Sequence, residues 1–469
     1  MDLHFVPSDE VARIRRGLSH PVIDADGHLA EFMPMVVDCM REVADAAVAE
    51  RFVRFRRSPF TSGEGYLPTR VFYGSPPTLD RMTVMLPKLL YGRLEEIGLD
   101  FALLYPTSGL SVLSNPDDEL RQAAARALNT YYARVFAEYR DRLEPVAVIP
   151  TFSPEEAIAE LDYAVGTLGL KTVVMSGTVP RTVRPDGSPA SWVDTLGHDS
   201  LHDYDPLWAR CVELGVVPAF HGIGYGWGSR VSAKNYVYNH LGNFAAAQEA
   251  ACRSLVMGGV PKRFPELRLS FLEGGVAWAA QLYADLLGHY DKRNRDAVQT
   301  FDPARFDVAM ADELFGEFAG GPLGGYRDRV EEGAKPLGDA SEARYGVDDF
   351  AESGITSAED IAEIFTRQLG FGCEADDPLN ALAFNGDLLP RGIRLNAMFA
   401  SDIGHWDVPD MREVLSEAWE LVEHGHLTEA DFSDFTCWNV VRMLTDLNPR
   451  FFEGTAVADV VRPYIRTGA

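Results

Sequence analysis

Three carboxylates and one imidazole fall within eight residues in Ile23-Asp24-Ala25-Asp26-Gly27-His28-Leu29-Ala30-Glu31. Asp26 and His28 are two positions apart, so in an extended backbone they point to one side and can hold one cation in common. Glu31 can reach the same space from the following turn. A polar turn capping a helix is the other reading of this segment taken alone. His221 ends the run Gly215-Val-Val-Pro-Ala-Phe-His221, and Gly222-Ile-Gly-Tyr-Gly226 follows, whose glycines let backbone and ligand approach closely. Glu273 ends Leu267-Arg-Leu-Ser-Phe-Leu-Glu273 ahead of Gly274-Gly275, and Asp402 follows a late apolar run in Ser401-Asp402-Ile-Gly-His405-Trp406-Asp407. An unpaired carboxylate at the end of a buried strand is costly, and a divalent cation or a cationic partner is the usual remedy. His240, in Asn239-His240-Leu-Gly-Asn243, is a further candidate for ligand or active-site contact. Tyr225, Trp227, Trp278, His405 and Trp406 adjoin these positions as candidate substrate-binding residues, and each aromatic is equally suited to packing.

These residues meet only if the strands that carry them share one end. The apolar runs are Pro21–Asp26, Asp100–Pro106, Glu144–Pro150, Leu170–Ser176, Gly215–His221, Leu267–Glu273, a weaker run at Leu369–Cys373, and Arg394–Ser401. Helical patterns lie between them. One opens at Asn115-Pro-Asp-Asp-Glu and runs to about Arg140; another opens on Ser153, Pro154 and Glu156, spaced as a capping box. Eight runs alternating with helices predict an α/β fold, a (β/α)8 TIM barrel, in which all the strand C-termini open into one mouth. The chain reads as one elaborated barrel domain over 1–469 with βα-loop insertions at about 35–95 and 292–368. The first is expected to be irregular, and the second to cover the mouth. Arg51, Arg54, Arg56 and Arg57 in the first would meet an anionic substrate if it folds over the mouth, and otherwise form a solvated basic patch.

The 469 residues carry 43 Lys+Arg against 70 Asp+Glu, a formal net charge of −27, which argues against a nucleic-acid or anionic-membrane partner. Five dispersed cysteines without a CxxC read as buried free thiols. With no leader pattern and no long apolar stretch, a cytoplasmic protein acting on a small molecule is expected.

Taken together, the Asp-x-His pair, His221, Arg263-Phe-Pro-Glu-Leu-Arg268 leading into Phe271-Leu-Glu-Gly-Gly275, the Ser401-Asp402…His405-Trp406 block and Asn448-Pro-Arg-Phe-Phe-Glu-Gly-Thr455 resemble the amidohydrolase superfamily. The similarity is to its amidohydrolase-related branch of metal-dependent decarboxylases and hydrolases, and spans about residues 20 to 455. It implies Asp26, His28, His221 and Asp402 as ligands of a divalent metal, with Asp402 also a catalytic group; Glu273 and His240 are further catalytic candidates. It also implies a homo- or hetero-oligomer. Two departures stand out. The family's His-x-His opening is here Asp26-x-His28, a harder site that suits Mn or Fe as much as Zn. A position that is often a catalytic histidine is here Glu273. Glu31, His240 and Glu273 supply enough further donors for a second metal, so one or two ions per chain are expected. A dinuclear Fe/Mn oxygenase and a non-catalytic partner subunit are the alternatives to hydrolysis or decarboxylation.

Overall fold

The computed structural model describes residues 4–57, 78–224, 226–232, 234–335 and 348–465. Each of the eight apolar runs forms a strand: β1 (Ile23–Leu29), β2 (Phe101–Pro106), β3 (Leu143–Pro145 continued by Ala147–Val148), β4 (Val173–Met175), β5 (Pro218–Phe220), β6 (Leu269–Phe271), β7 (Leu369–Glu374) and β8 (Asn396–Ala400). Neighbours pair in parallel from β1 to β2 and on to the first half of β3, then from its second half through β4, β5, β6, β7 and β8. Val146 N–H donates to Leu104 and Ala147 N–H to Thr172, so β3 serves both neighbours. The ring closes where Asp402 N–H donates to Asp26 O at 3.0 Å and His28 N–H donates to Ile403 O at 3.1 Å. The architecture is the expected parallel barrel. Its strands are apolar on both faces because side chains fill the interior and helices cover the outside.

Outside the ring, Phe220, Phe271 and Phe371 stack along β5, β6 and β7, with centroids 5.2 and 6.3 Å apart. Trp278, on the helix Ala277–Arg293, packs edge-on against Phe271 and Phe371 in this outer layer. Expected as a candidate substrate-binding residue, it sits at the helix–barrel interface. Helix starts follow local chemistry with small shifts. Asp117 rather than Asn115 caps Asp118–Val135, and Ser153 caps Pro154–Leu161 while Glu156 turns instead to Phe152 N and Arg121.

The two excursions differ from expectation. Where it is described, the first is helical, as Met33–Val43, Ala46–Arg57, Thr78–Met85 and Pro87–Ile97. Arg51 pairs with Asp117 and Glu119, so it is spoken for locally. The second leaves at the C-terminal end of Ala277–Arg293 and returns beside it, where Arg293 pairs with Asp349 and Tyr290 packs on Phe350. A barrel helix runs back from the mouth, so this attachment lies at the opposite end of the barrel. A βα connection that the sequence pattern did not suggest is the hairpin Val179–Val183/Pro189–Asp194 after β4.

Candidate metal centre

β1 and β8 carry the first half of the site and are joined by a buried carboxylate. Asp24 accepts from Ser401 Oγ at 2.5 Å, from Ser401 N at 3.0 Å and from Asp26 N at 3.1 Å. That arrangement fixes the strand end that bears Asp26 and His28 against the one that bears Asp402. Gly27 is required by the same contact, since a Cβ there would lie 2.4 Å from Asp24 Oδ2. Gly27→Ala is therefore expected to destabilise the fold by about 1–3 kcal/mol through overpacking, read as a lowered thermal midpoint. Asp24→Asn is expected to weaken divalent-cation affinity about 10–100-fold, as losses of supporting hydrogen bonds do. Competition with a chelator measures it, and unchanged affinity would remove Asp24 from the site.

Around this staple, six side chains from four strand ends converge. His28 Nε2 lies 3.2 Å from Asp402 Oδ1 and 3.6 Å from Asp26 Oδ1. His221 Nε2 lies 2.8 Å from Glu273 Oε2, and His405 Nδ1 lies 2.6 Å from Asp402 Oδ1. The His28 ring sits 3.9 Å from His405 and 5.2 Å, edge-on, from His221. All six residues are buried. Yet Asp26 Oδ1, both ring nitrogens of His28 and of His221, Glu273 Oε2 and both oxygens of Asp402 have no aligned hydrogen bond. Buried polar atoms are seldom left this way, because each costs its desolvation. The donors fall into two sets that share His28: Asp26 with His28 and His221, and His28 with Glu273, Asp402 and His405. Within each set one ligand atom per residue lies within 4.8 Å of the others. Mixed imidazole and carboxylate donors of this kind fit a divalent transition metal.

The electrostatics agree. Burial pushes the carboxyls of Asp26, Glu273 and Asp402 well above their usual range, and neighbouring carboxylates add to it. Burial also holds the imidazoles of His28 and His221 below theirs, and brings His405 to about 3. Without a cation the cluster is driven to neutrality. Backbone strain marks the same positions: Glu273 and Asp402 are non-glycine residues at φ of 55° and 48°. Such left-handed conformations cost roughly 1 kcal/mol each and concentrate where side chains must be aimed.

The remaining candidates are placed elsewhere. Glu31, expected as a second-metal ligand, accepts from Ser108 N, Gly109 N and Tyr132 Oη and anchors the turn after β2. His240, on Tyr236–His240, lies against Trp406 and Phe244 and outside both donor sets. Through Phe244, which packs edge-on to His221, it stands one layer from the cluster. Trp406 donates to Tyr236 Oη and is partly open to solvent. Trp227 sits half-buried in the turn beyond Gly224, and Tyr225 lies outside the described residues. His405, expected on the substrate side, falls inside a donor set. The sequence reading missed three positions. Asp24 acts through the Ser401 staple. Tyr105 is buried with its ring 6.3 Å from His28 and 6.2 Å from His221. Asp407 has a buried Oδ1 without a partner and raises Glu273 and Asp402 by its charge. Asp24 and Asp407 lie inside the motifs already singled out; Tyr105 carries no sequence signal beyond its place at the end of β2.

The fold and this strand-end cluster define a class. The amidohydrolase family profile matches residues 23–319, more than half of the chain, and the protein belongs to that family of enzymes. The matched span holds Asp26, His28, His221 and Glu273 and ends before Asp402 and His405. A curated relative, the decarboxylase orsB of Emericella nidulans, is 29% identical over 183 residues, 37% of this chain and 49% of that protein. The chain thus matches about half the length of that relative. An amidohydrolase from Mycobacterium avium subsp. paratuberculosis superposes with a TM-score of 0.54 at 17% identity, over 91% of this chain and 100% of that one. A 5-carboxyvanillate decarboxylase from Novosphingobium aromaticivorans, complexed with manganese and 4-hydroxy-3-methoxy-5-nitrobenzoic acid, superposes at 0.50 and 13% identity over 95% and 99%. At these identities the structural likeness establishes the fold alone.

Proposed function

We propose that the protein is a divalent-metal-dependent carboxy-lyase acting on a small aromatic acid. The observation that carries the reading is the nest of buried donor atoms without aligned hydrogen bonds on Asp26, His28, His221, Glu273 and Asp402, with His405 in the same donor set as Asp402. The printed activities of orsB and of the Novosphingobium enzyme supply the reaction class. Asp26, His28, His221 and Asp402 would hold the cation, with His405 within reach of Asp402. When bound, it would bind the substrate's oxygens and stabilise the charge that develops as the carboxylate departs. Manganese suits the carboxylate-rich set, as iron and zinc do less selectively. In decarboxylation the ring–carboxylate bond breaks, its electron pair stays on the ring carbon, and a proton must reach that carbon. Glu273 would hold that proton; burial and the Asp407 charge, which both raise its pKa, support this role. The five cysteines are free and buried, which suits the expected reducing, cytoplasmic setting. Among the described residues no helix is long and apolar enough to cross a membrane.

The test is turnover of 5-carboxyvanillate and related hydroxybenzoates by manganese-loaded protein, followed as carbon dioxide release. Release that disappears on chelation supports the reading; hydrolysis of an ester or amide panel without carbon dioxide release replaces it with hydrolysis. A second reading rests on the two donor sets sharing His28, which would seat two cations and suit an oxygenase. Metal stoichiometry separates the two.

Cation binding is expected to be proton-linked. Burial raises the pKa values of Asp26, Glu273 and Asp402 well above the usual carboxylate range, so without metal they keep their protons to higher pH than free carboxyls, whereas burial lowers that of His28. Binding must displace protons from the carboxyls, so affinity rises with pH from mildly acid to mildly alkaline conditions. Titration calorimetry with Mn2+ in buffers of different ionisation enthalpy reads the protons released. An affinity independent of pH would overturn this account.

A further inference from the structure

His221 and Glu273 follow neighbouring strands, β5 and β6, and face each other at 2.8 Å. The helix Asn243–Met257 lies between those strands in the chain, and its first turns touch both strand ends. Phe244 and Gln248 are four positions apart and share one face of it. Phe244 packs edge-on to the His221 ring at 5.7 Å. Gln248 is fully buried, and its Nε2 donates to the carbonyl of Gly222, the residue after His221, at 3.5 Å. Gly274, the residue after Glu273, meets the same side chain. A Cβ at Gly274 would lie 2.8 Å from Trp278 Nε1, 3.2 Å from Gln248 Cγ and 3.4 Å from Ala245 Cα. The indole and the glutamine thus form a slot that closes on a glycine. Trp278 Nε1 and Gln248 Oε1 are buried without an aligned hydrogen bond. Burying polar atoms in this way costs stability, and apolar side chains of the same shape would fill the space without that cost. The slot grips the chain one residue past Glu273, whose φ of 55° persists only where the surroundings enforce it.

We propose that Gln248 and Trp278 are positioning residues of the metal centre: they close on Gly274 to aim Glu273, and the Gln248 amide holds the chain after His221 through Gly222. The inference rests on the metal-dependent reading above and adds how a cation-holding and a proton-holding group on different strands keep their spacing. Both residues act through backbone. Misplacing a reacting group by about 1 Å costs on the order of 10²-fold in rate, so a slot this close matters to turnover.

Variants of the full chain loaded with manganese test this. Gly274→Ala puts a methyl group into the slot and is expected to lower kcat about 10–100-fold with little change in KM. Trp278→Phe removes the atom nearest that methyl group, so adding it to Gly274→Ala is expected to restore kcat on the order of tenfold, as contacting residues couple. Gln248→Met keeps the shape without the amide and is expected to weaken Mn2+ affinity about 10–100-fold. Glu249→Gln, which loses a pair with Arg253 on the same helix, is expected to leave affinity and kcat unchanged. Wild-type kcat in Gly274→Ala, or a loss that Trp278→Phe deepens, would overturn the slot. Wild-type Mn2+ affinity in Gln248→Met would overturn the hold on His221. Should Gly274→Ala fail to fold, Trp278→Phe alone loosens the slot and is expected to lower kcat at unchanged KM; an unchanged kcat would overturn the proposal. A wild type that binds Mn2+ but releases no carbon dioxide from any hydroxybenzoate defeats the carboxy-lyase reading by itself, and the Mn2+ affinity of Gln248→Met then decides the positioning role. A wild type that binds no Mn2+ overturns both.

Discussion

Asp402→Ala is expected to abolish cation retention and turnover together, with affinity falling by more than about 100-fold, beyond the usual cost of losing a supporting residue. Asp402 stands between two imidazoles, at 3.2 Å from His28 and 2.6 Å from His405. Its removal leaves the second donor set with one carboxylate, Glu273. The same change is expected to leave the metal-free fold as stable as before or more so. A buried carboxylate whose two oxygens lack aligned hydrogen bonds contributes desolvation cost rather than stability. The pairing of results matters: loss of metal with an unchanged or raised thermal midpoint is the behaviour of a ligand, whereas loss of metal through unfolding is that of a structural residue. Elemental analysis after dialysis and a thermal melt of the stripped protein give both. His221→Ala is expected to behave likewise, and full occupancy in either variant would sink the assignment.

Strands and strand-end candidates are readable from sequence for a shared reason: a strand buried on both faces must be apolar until it reaches the mouth, so a polar residue at its end is conspicuous. Asp26, His221, Glu273 and Asp402 stand out in this way. The seventh strand was faint because Gly370 and Gly372 dilute its pattern. Gly372 leaves room for β6, since a Cβ there would lie 2.8 Å from Leu272 Cδ2 and 3.1 Å from Leu272 Cα. At Glu31 the sequence neighbours do not show its partner: the carboxylate accepts from the Ser108–Gly109 turn of another connection, which no local pattern reveals. Length alone also could not say at which end the second insertion leaves the barrel; that follows from where the helix Ala277–Arg293 stops. Trp278 illustrates the limit for aromatics, since nothing in its neighbours distinguishes the inside of a mouth from the outside of a ring.

Glu273→Gln is expected to keep one cation per chain and to lower kcat by about 10²–10⁴-fold with little change in KM, the loss typical of removing a general acid. The substitution preserves shape while removing the ionisable proton, so it separates holding a cation from moving a proton. Glu273 Oε2 lies 2.8 Å from His221 Nε2, and its strained backbone aims it at the cluster. Burial and the Asp407 charge both favour its protonated form, the state a proton donor needs before the reaction. A glutamine can keep an oxygen toward His221 but has no acidic proton to give. The pH profile adds a second readout: the rate limb that reports a protonated acid is expected in the wild type and absent in the variant. Should the wild type instead bind two cations and the variant one, Glu273 is a ligand of the set His28, Glu273, Asp402 and His405, and the two-cation reading displaces proton delivery. One substitution with a metal count and a rate thus decides between two chemistries that share the same residues.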